Sequence, residues 1–214
     1  MEQSPINIKV ESDAVFFVKD SLVKIGGQEI KFLKEKVLHS QRKSIRLCMH
    51  ADIADSVHEM FILHSKETYI RPHKHPNKDV SYHIIQGIMD MVVFDEKGSI
   101  VDIIPMGEYG TGRNFYYRLN EVYYYTPLLR SDFLLFHETI NGPFKPSDTI
   151  YAPWAVVGDD PIAAAQFQEE LVSKVNEFIH CSRKRRCSKT DKKIDIANLM
   201  KRGIKIPMST YYWS

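Results

Sequence analysis

Residues 70–87 read IRPHKHPNKDVSYHIIQG. His73 and His75 stand one residue apart. A polar loop follows, then an apolar run that stops at Gly87. Side chains alternate between the two faces of an extended chain, so residues i and i+2 point the same way. The stretch therefore reads as a strand end that carries two imidazoles on one face, then a turn, then a second strand. Paired imidazoles just ahead of a turn suit a metal ion or a substrate better than they suit packing.

The neighbouring chain has the same extended character. DAVFFVK, SIRLCMH, HEMFILH, ETYIRPH, VSYHIIQG, IMDMVVFD, SIVDIIPM, NFYYRL, SDFLLFHET and DTIYAPW are short and rich in β-branched or aromatic residues. Asp95-Glu96-Lys97-Gly98 makes a hairpin link between two of them. Many short strands at even spacing predict an antiparallel sandwich or barrel. QEIKFLKEKVLHSQR predicts one helix near residues 28–38.

The pattern changes after Trp154. Asp159-Asp160-Pro161 is a helix start, and Ala164, Phe167, Leu171, Val175, Phe178 and Ile179 then recur every three or four residues, predicting a helix to about Cys181. CSRKRRCSKTDKK, residues 181–193, carries seven Lys/Arg and one Asp, a net +6 in a chain of net +2, and reads as a solvated linker. A second short helix, IDIANLMKRG, and an aromatic end, IPMSTYYWS, complete the chain. The predicted divisions are 1–39 for N-terminal strands and helix, 40–157 for the barrel, and 158–214 for a helical extension.

The 214 residues are 43% hydrophobic and 26% charged, enough apolar material for a core without disulfides. A net charge of +2 does not suggest nucleic acid as a partner. Three cysteines are too few for a disulfide framework and read as free thiols in a reducing compartment. The first residues lack the apolar stretch of a signal peptide, and no run reaches the ~18 apolar residues of a membrane span. A cytoplasmic protein is expected.

YIRPHKHPNK, SYHIIQGIMDMVVFDEKGSI, FYYRL, FHETINGPF and YAPWA, in that order over residues 40–157, resemble the WbuC-like cupin-fold metalloproteins associated with bacterial surface-polysaccharide gene clusters. The resemblance implies an all-β cupin barrel, a double-sheet jelly-roll-like fold, with a site in its mouth and a C-terminal α-helical extension. It also implies a divalent metal such as zinc, iron, manganese or nickel, held by His-x-His, a Glu and a later His. His73 and His75 match the first two positions. Val80 stands at the Glu position, beside Asp79, and Tyr125 at the final His. His83 is a substitute ligand if a bulge turns it inward. The implied metal set is then His73, His75, His83 and Tyr125.

A second group of cupins, the metal-free nucleotide-sugar ketoisomerases and epimerases, is similar in its paired histidines. It implies His73 or His75 as base and Tyr125 as acid. Tyr82, Tyr117 and Tyr123 offer faces to a sugar ring or base, and Arg71 offers a fork to a diphosphate, with Arg113, Arg118 and Arg130 as further candidates. A non-catalytic cupin that binds a sugar or a partner protein is the third reading. His137 and Glu138 lie in FLLFHETINGPF, one of the two facing inward by alternation; Glu138 is expected to anchor the Asn141-Gly142-Pro143 turn or to add a carboxylate to the site. Edge strands suggest a homodimer.

Overall fold

The computed structural model describes residues 6–119 and 123–190. Two sheets face each other around a common interior. The first, in the order β1-β2-β3-β4-β11-β6-β9, contains β1 (Ile8–Val10), β2 (Val15–Val18), β3 (Ser44–Cys48), β4 (Val57–Ser65), β6 (Val80–Gln86), β9 (Tyr116–Leu119) and β11 (Phe133–Asn141). The second, in the order β12-β5-β10-β7-β8, contains β5 (His73–Lys74), β7 (Ile88–Phe94), β8 (Ile100–Gly107), β10 (Tyr124–Leu129) and β12 (Ile150–Tyr151). All pairings are antiparallel except β2 with β3. This is the expected cupin-type double-sheet barrel.

Alternation decides what fills it. In β6, Val80, Tyr82 and Ile84 are buried, whereas Ser81, His83 and Ile85 are not. Cys48, Met60, Ile62, Leu134, Phe136, Met89, Met91, Val93 and Tyr125 complete the interior from both sheets. The other face of the first sheet is covered by α1 (Gly27–His39), whose Phe32, Leu33 and Val37 recur at helical spacing and pack on Phe16, Ile45, Leu47, Leu63 and Leu135. Glu29 accepts a hydrogen bond from the Gly26 amide at 2.7 Å, fixing the start of α1.

Three sequence expectations change. ETYIRPH is strand only at His73–Lys74, because Pro72 cannot donate to a ladder. β10 is an additional strand; Pro127 within it argues against one, yet β5 pairs with β10 only at Tyr125, so Pro127 needs no donor on that side. α2 (Pro161–Thr190) continues through most of the basic run, so residues 181–190 are helical rather than a linker. No glycine interrupts the helix, and Lys and Arg are good helix formers suited to a C-terminal end. IDIANLMKRG and the aromatic end lie outside the described residues. The chain divides into a compact unit, residues 1–175, and a second, residues 176–214. Within the first, Ala164, Leu171 and Val175 are buried, and Phe167 meets Trp154 and Tyr69. No helix among the described residues is long and apolar enough to cross a membrane.

Two of the candidate arginines are consumed by the fold. Arg130 Nε lies 2.7 Å and Arg113 Nη1 3.3 Å from the carboxylate of Asp90, which is only 5% exposed. A buried carboxylate needs such partners, so these forks fasten β7 rather than wait for a diphosphate.

Candidate functional site

β5 carries His73, and His75 follows one residue beyond the strand's end. His73 is opposite Tyr125 of β10 on one side and Tyr151 of β12 on the other. The His73 and His75 ring centroids are 5.1 Å apart, and Tyr125 lies 4.8 Å from His73 and 6.2 Å from His75. Tyr82 continues the cluster at 6.5 Å from Tyr125, and Tyr117 stands 5.8 Å from Tyr82. His73, His75, Tyr125, Tyr82 and Tyr117 therefore form one group.

The backbone sets the tautomer of both imidazoles. His73 Nδ1 is 2.9 Å from the Arg71 carbonyl and His75 Nδ1 is 3.1 Å from the Asp148 carbonyl. A carbonyl only accepts, so each Nδ1 carries the proton and each Nε2 keeps its lone pair. Burial, then the charge of His75, pushes His73 down to about 4; burial also lowers His75. Both rings are neutral acceptors at neutral pH.

The phenols are the reverse. Tyr125 is 1% exposed; its hydroxyl and that of Tyr117 have no partner within hydrogen-bond distance, although Tyr125 interacts more loosely with the Tyr82 hydroxyl. Burial, followed by the charge of Glu138, raises Tyr82, Tyr117 and Tyr125 well above the ordinary phenol range. Of the two places open to Glu138, the structure shows the interior rather than the turn: it lies opposite Tyr82 and Met60, buried in the barrel, where desolvation raises its own pKa. Alternation along FLLFHETIN left only one of His137 and Glu138 facing inward, and that residue is Glu138.

Other candidates lie elsewhere. His83 is on the outer face, opposite His137 and Tyr116 and 5.7 Å from Phe115, so it is no substitute ligand; β6 has no bulge at His83 to turn it inward. Tyr123 is exposed ahead of β10. Arg71 donates from Nη2 to the Ala152 carbonyl at 2.9 Å and lies over the Tyr151 ring, whereas its buried Nε has no hydrogen-bond partner. Arg118 is paired with Asp79. A shallow surface cleft of about 230 Å³ bordered by Asp79, Ser81, Tyr116, Arg118 and Asn141 includes neither histidine of the pair.

Do these residues suit a divalent ion? Nδ1–H bonds to carbonyls are the usual support for ligating imidazoles. However, Val80 has no donor atom, and Tyr125 is held as a neutral phenol. Among the described residues no three His, Cys, Asp or Glu side chains gather into a metal-binding group. Two neutral imidazoles are a weak set for a divalent ion, which ordinarily takes three or four protein ligands with an anion among them. The donor set does not fit a tightly held metal.

The buried histidines make stability depend on acid. His64, beside Phe136 in the barrel, is pushed down by burial to about 3. The unfolded chain protonates such groups near pH 6.5, whereas the folded chain resists until about 4 for His73 and about 3 for His64. Their effect is absent above ~6.5 and grows into destabilisation as pH falls toward those values. Glu138, with a raised pKa, opposes this only as pH rises above the ordinary Glu value. Urea titrations are expected to show stability falling from pH 6.5 to 5 by more than ~1.4 kcal/mol per pH unit, the slope for one proton. Replacing His64 by Gln should flatten that slope.

Residues 25–106 match a family model described as a domain of unknown function, DUF6016. No match was found among curated proteins. Among solved structures, a Shewanella oneidensis protein is similar at 11% identity over 46% of this chain and 63% of its own, with a TM-score of 0.40. The Schizosaccharomyces pombe Cnp3 cupin domain is similar at 14% identity over 47% and 66%, TM-score 0.37. A Lactobacillus farciminis oxalate decarboxylase, in a formate complex, is similar at 15% identity over 46% and 27%, TM-score 0.37. The chain thus spans less than two thirds of these structures, and the fold assignment rests on its own sheet topology.

Proposed function

We propose that this chain is a metal-independent cupin that binds a small hydroxylated ligand, of the sugar or nucleotide-sugar class, inside its barrel. One observation carries the reading. At the position where the WbuC-like pattern implies a third imidazole stands Tyr125, fully buried, protonated, and with its hydroxyl unpartnered beside His73 and His75. An unpartnered buried hydroxyl costs about 1–3 kcal/mol, so a ligand that satisfies it is favoured by that margin. The His73 and His75 Nε2 atoms accept from ligand hydroxyls, and the Tyr125 and Tyr117 hydroxyls donate. The rings of Tyr82 and Tyr125 supply flat apolar faces for a pyranose. The WbuC-like resemblance supports a place in bacterial surface-polysaccharide chemistry.

The isomerase reading asks more of the same residues. A general base and acid work best with pKa values near the working pH. Burial moves His73 down and Tyr125 up, each away from it. These groups therefore suit binding better than proton transfer.

Elemental analysis of the purified protein, with thermal unfolding in added zinc, manganese or nickel, tests the reading. Less than a tenth of an equivalent of metal is expected, with no rise in Tm. A stoichiometric ion that His73→Ala removes would overturn it. Solvent-deuterium uptake into a keto-sugar nucleotide would establish the isomerase instead.

A further inference from the structure

We infer that the ligand is an anionic sugar, and that Arg46 receives its negative group at the edge of the barrel. This rests on the binding reading above and names the ligand's charge. Arg46 lies in the middle of β3, where alternation separates two faces. Ile45 and Leu47 are buried under α1, whereas Cys48 belongs to the barrel interior. Arg46 shares the Cys48 face and is opposite Ile62, another interior residue. Unlike Cys48 it is exposed, so its head stands where the interior meets water.

Its surroundings come from both sheets. The positive charge acts on His73 and His75 of the second sheet and on Tyr82 and Glu138 of the first. Across the first sheet the interior row runs Arg46, Ile62, Phe136, and the Phe136 ring lies 4.7 Å from that of Tyr82, so Arg46 shares the interior face with the site. Arg71, Arg113, Arg118 and Arg130 each have a carbonyl or carboxylate partner. Among the described residues Arg46 has no side-chain hydrogen bond or ion pair. An unpaired fork at the rim of the interior face that also holds two neutral acceptors and two buried hydroxyls matches a ligand with a neutral hydroxylated body and one anionic end. Phosphate and carboxylate both fit a guanidinium fork, so the shared feature is the negative charge.

Titration calorimetry with glucose, glucose 1-phosphate and glucuronate distinguishes the possibilities. The wild-type protein is expected to bind glucose 1-phosphate at least tenfold tighter than glucose. Arg46→Gln should erase that preference while leaving glucose affinity within twofold. Arg46→Lys should retain part of it, and Arg118→Gln all of it. Raising salt should shrink the preference in the wild type. A similar gain for glucuronate assigns the preference to charge, and a gain restricted to glucose 1-phosphate assigns it to phosphate; each supports the inference. Equal affinity for all three sugars, or a preference that survives Arg46→Gln, overturns the role of Arg46 and leaves the binding reading standing. Binding of none of them overturns both.

Discussion

Gly87→Ala is expected to lower stability by about 3–5 kcal/mol, seen as a fall in the urea midpoint at unchanged slope. Gly87 closes the stretch that decides the fold, and its φ of 97° is one that side-chain-bearing residues rarely adopt. A Cβ there would lie 2.2 Å from the Phe133 carbonyl oxygen, 2.7 Å from Ser131 Oγ and 3.3 Å from Leu134 Cα. Backbone cannot swing aside as a side chain does. The position is also the corner between β6 in one sheet and β7 in the other, so any shift there displaces both. Gly110 is the control. Its φ is 93°, but the space around it is open. Gly110→Ala should therefore cost only the backbone term, about 1 kcal/mol. Equal losses for the two variants would mean that the close approach at Gly87 is not a constraint.

The double variant Val80→Glu/Tyr125→His is expected to acquire a divalent ion, with a gain of about a thousandfold in affinity over the wild-type pair of imidazoles. Position 125 already lies opposite His73, and both native histidines present Nε2 with Nδ1 tied to a carbonyl. A third imidazole and a carboxylate would complete a His3Glu set. Val80 is fully buried, so the metal-free variant bears an unpaired acid and should lose about 2–4 kcal/mol. Adding cobalt should then restore Tm and give a visible absorption band. If cobalt neither restores stability nor produces the band, positions 80 and 125 do not converge with the histidines.

The sequence revealed what depends on period and spacing. His73 and His75 were readable as a pair because i and i+2 share a face, and they do meet in the structure. α1 was readable because its buried residues recur at helical spacing. Tyr125 lies against the histidines, and Tyr82 and Tyr117 join it through successive ring contacts. What stayed hidden depends on partners far along the chain. The surroundings of Arg71 depend on Ala152 and Tyr151, about eighty residues away. The outward placement of His83 followed from parity, once no bulge intervened. Arg46 gave no local signal, since one arginine in an apolar strand resembles any surface charge until the opposite sheet is known. Glu138 was ambiguous because alternation fixes that one of two neighbours points inward without saying which.

The ladder around the paired histidines is thin. β4 and β11 are joined along nine successive residues, Val57–Ser65 against Phe133–Asn141, whereas β5 meets β10 only at His73 and β12 only at His73 and Lys74. Local opening free energy follows the number of buried backbone bonds that must break together. The ribbon bearing the two imidazoles is therefore held by few ladder bonds, supplemented by the hydrogen bonds of Arg71 with Ala152, His75 with Asp148 and Thr126 with Ile70. Under the binding reading proposed above, a ligand that opened this ribbon would meet the two imidazoles first, and faster amide exchange at residues 73–75 than at residues 57–65 is the expected sign of such opening.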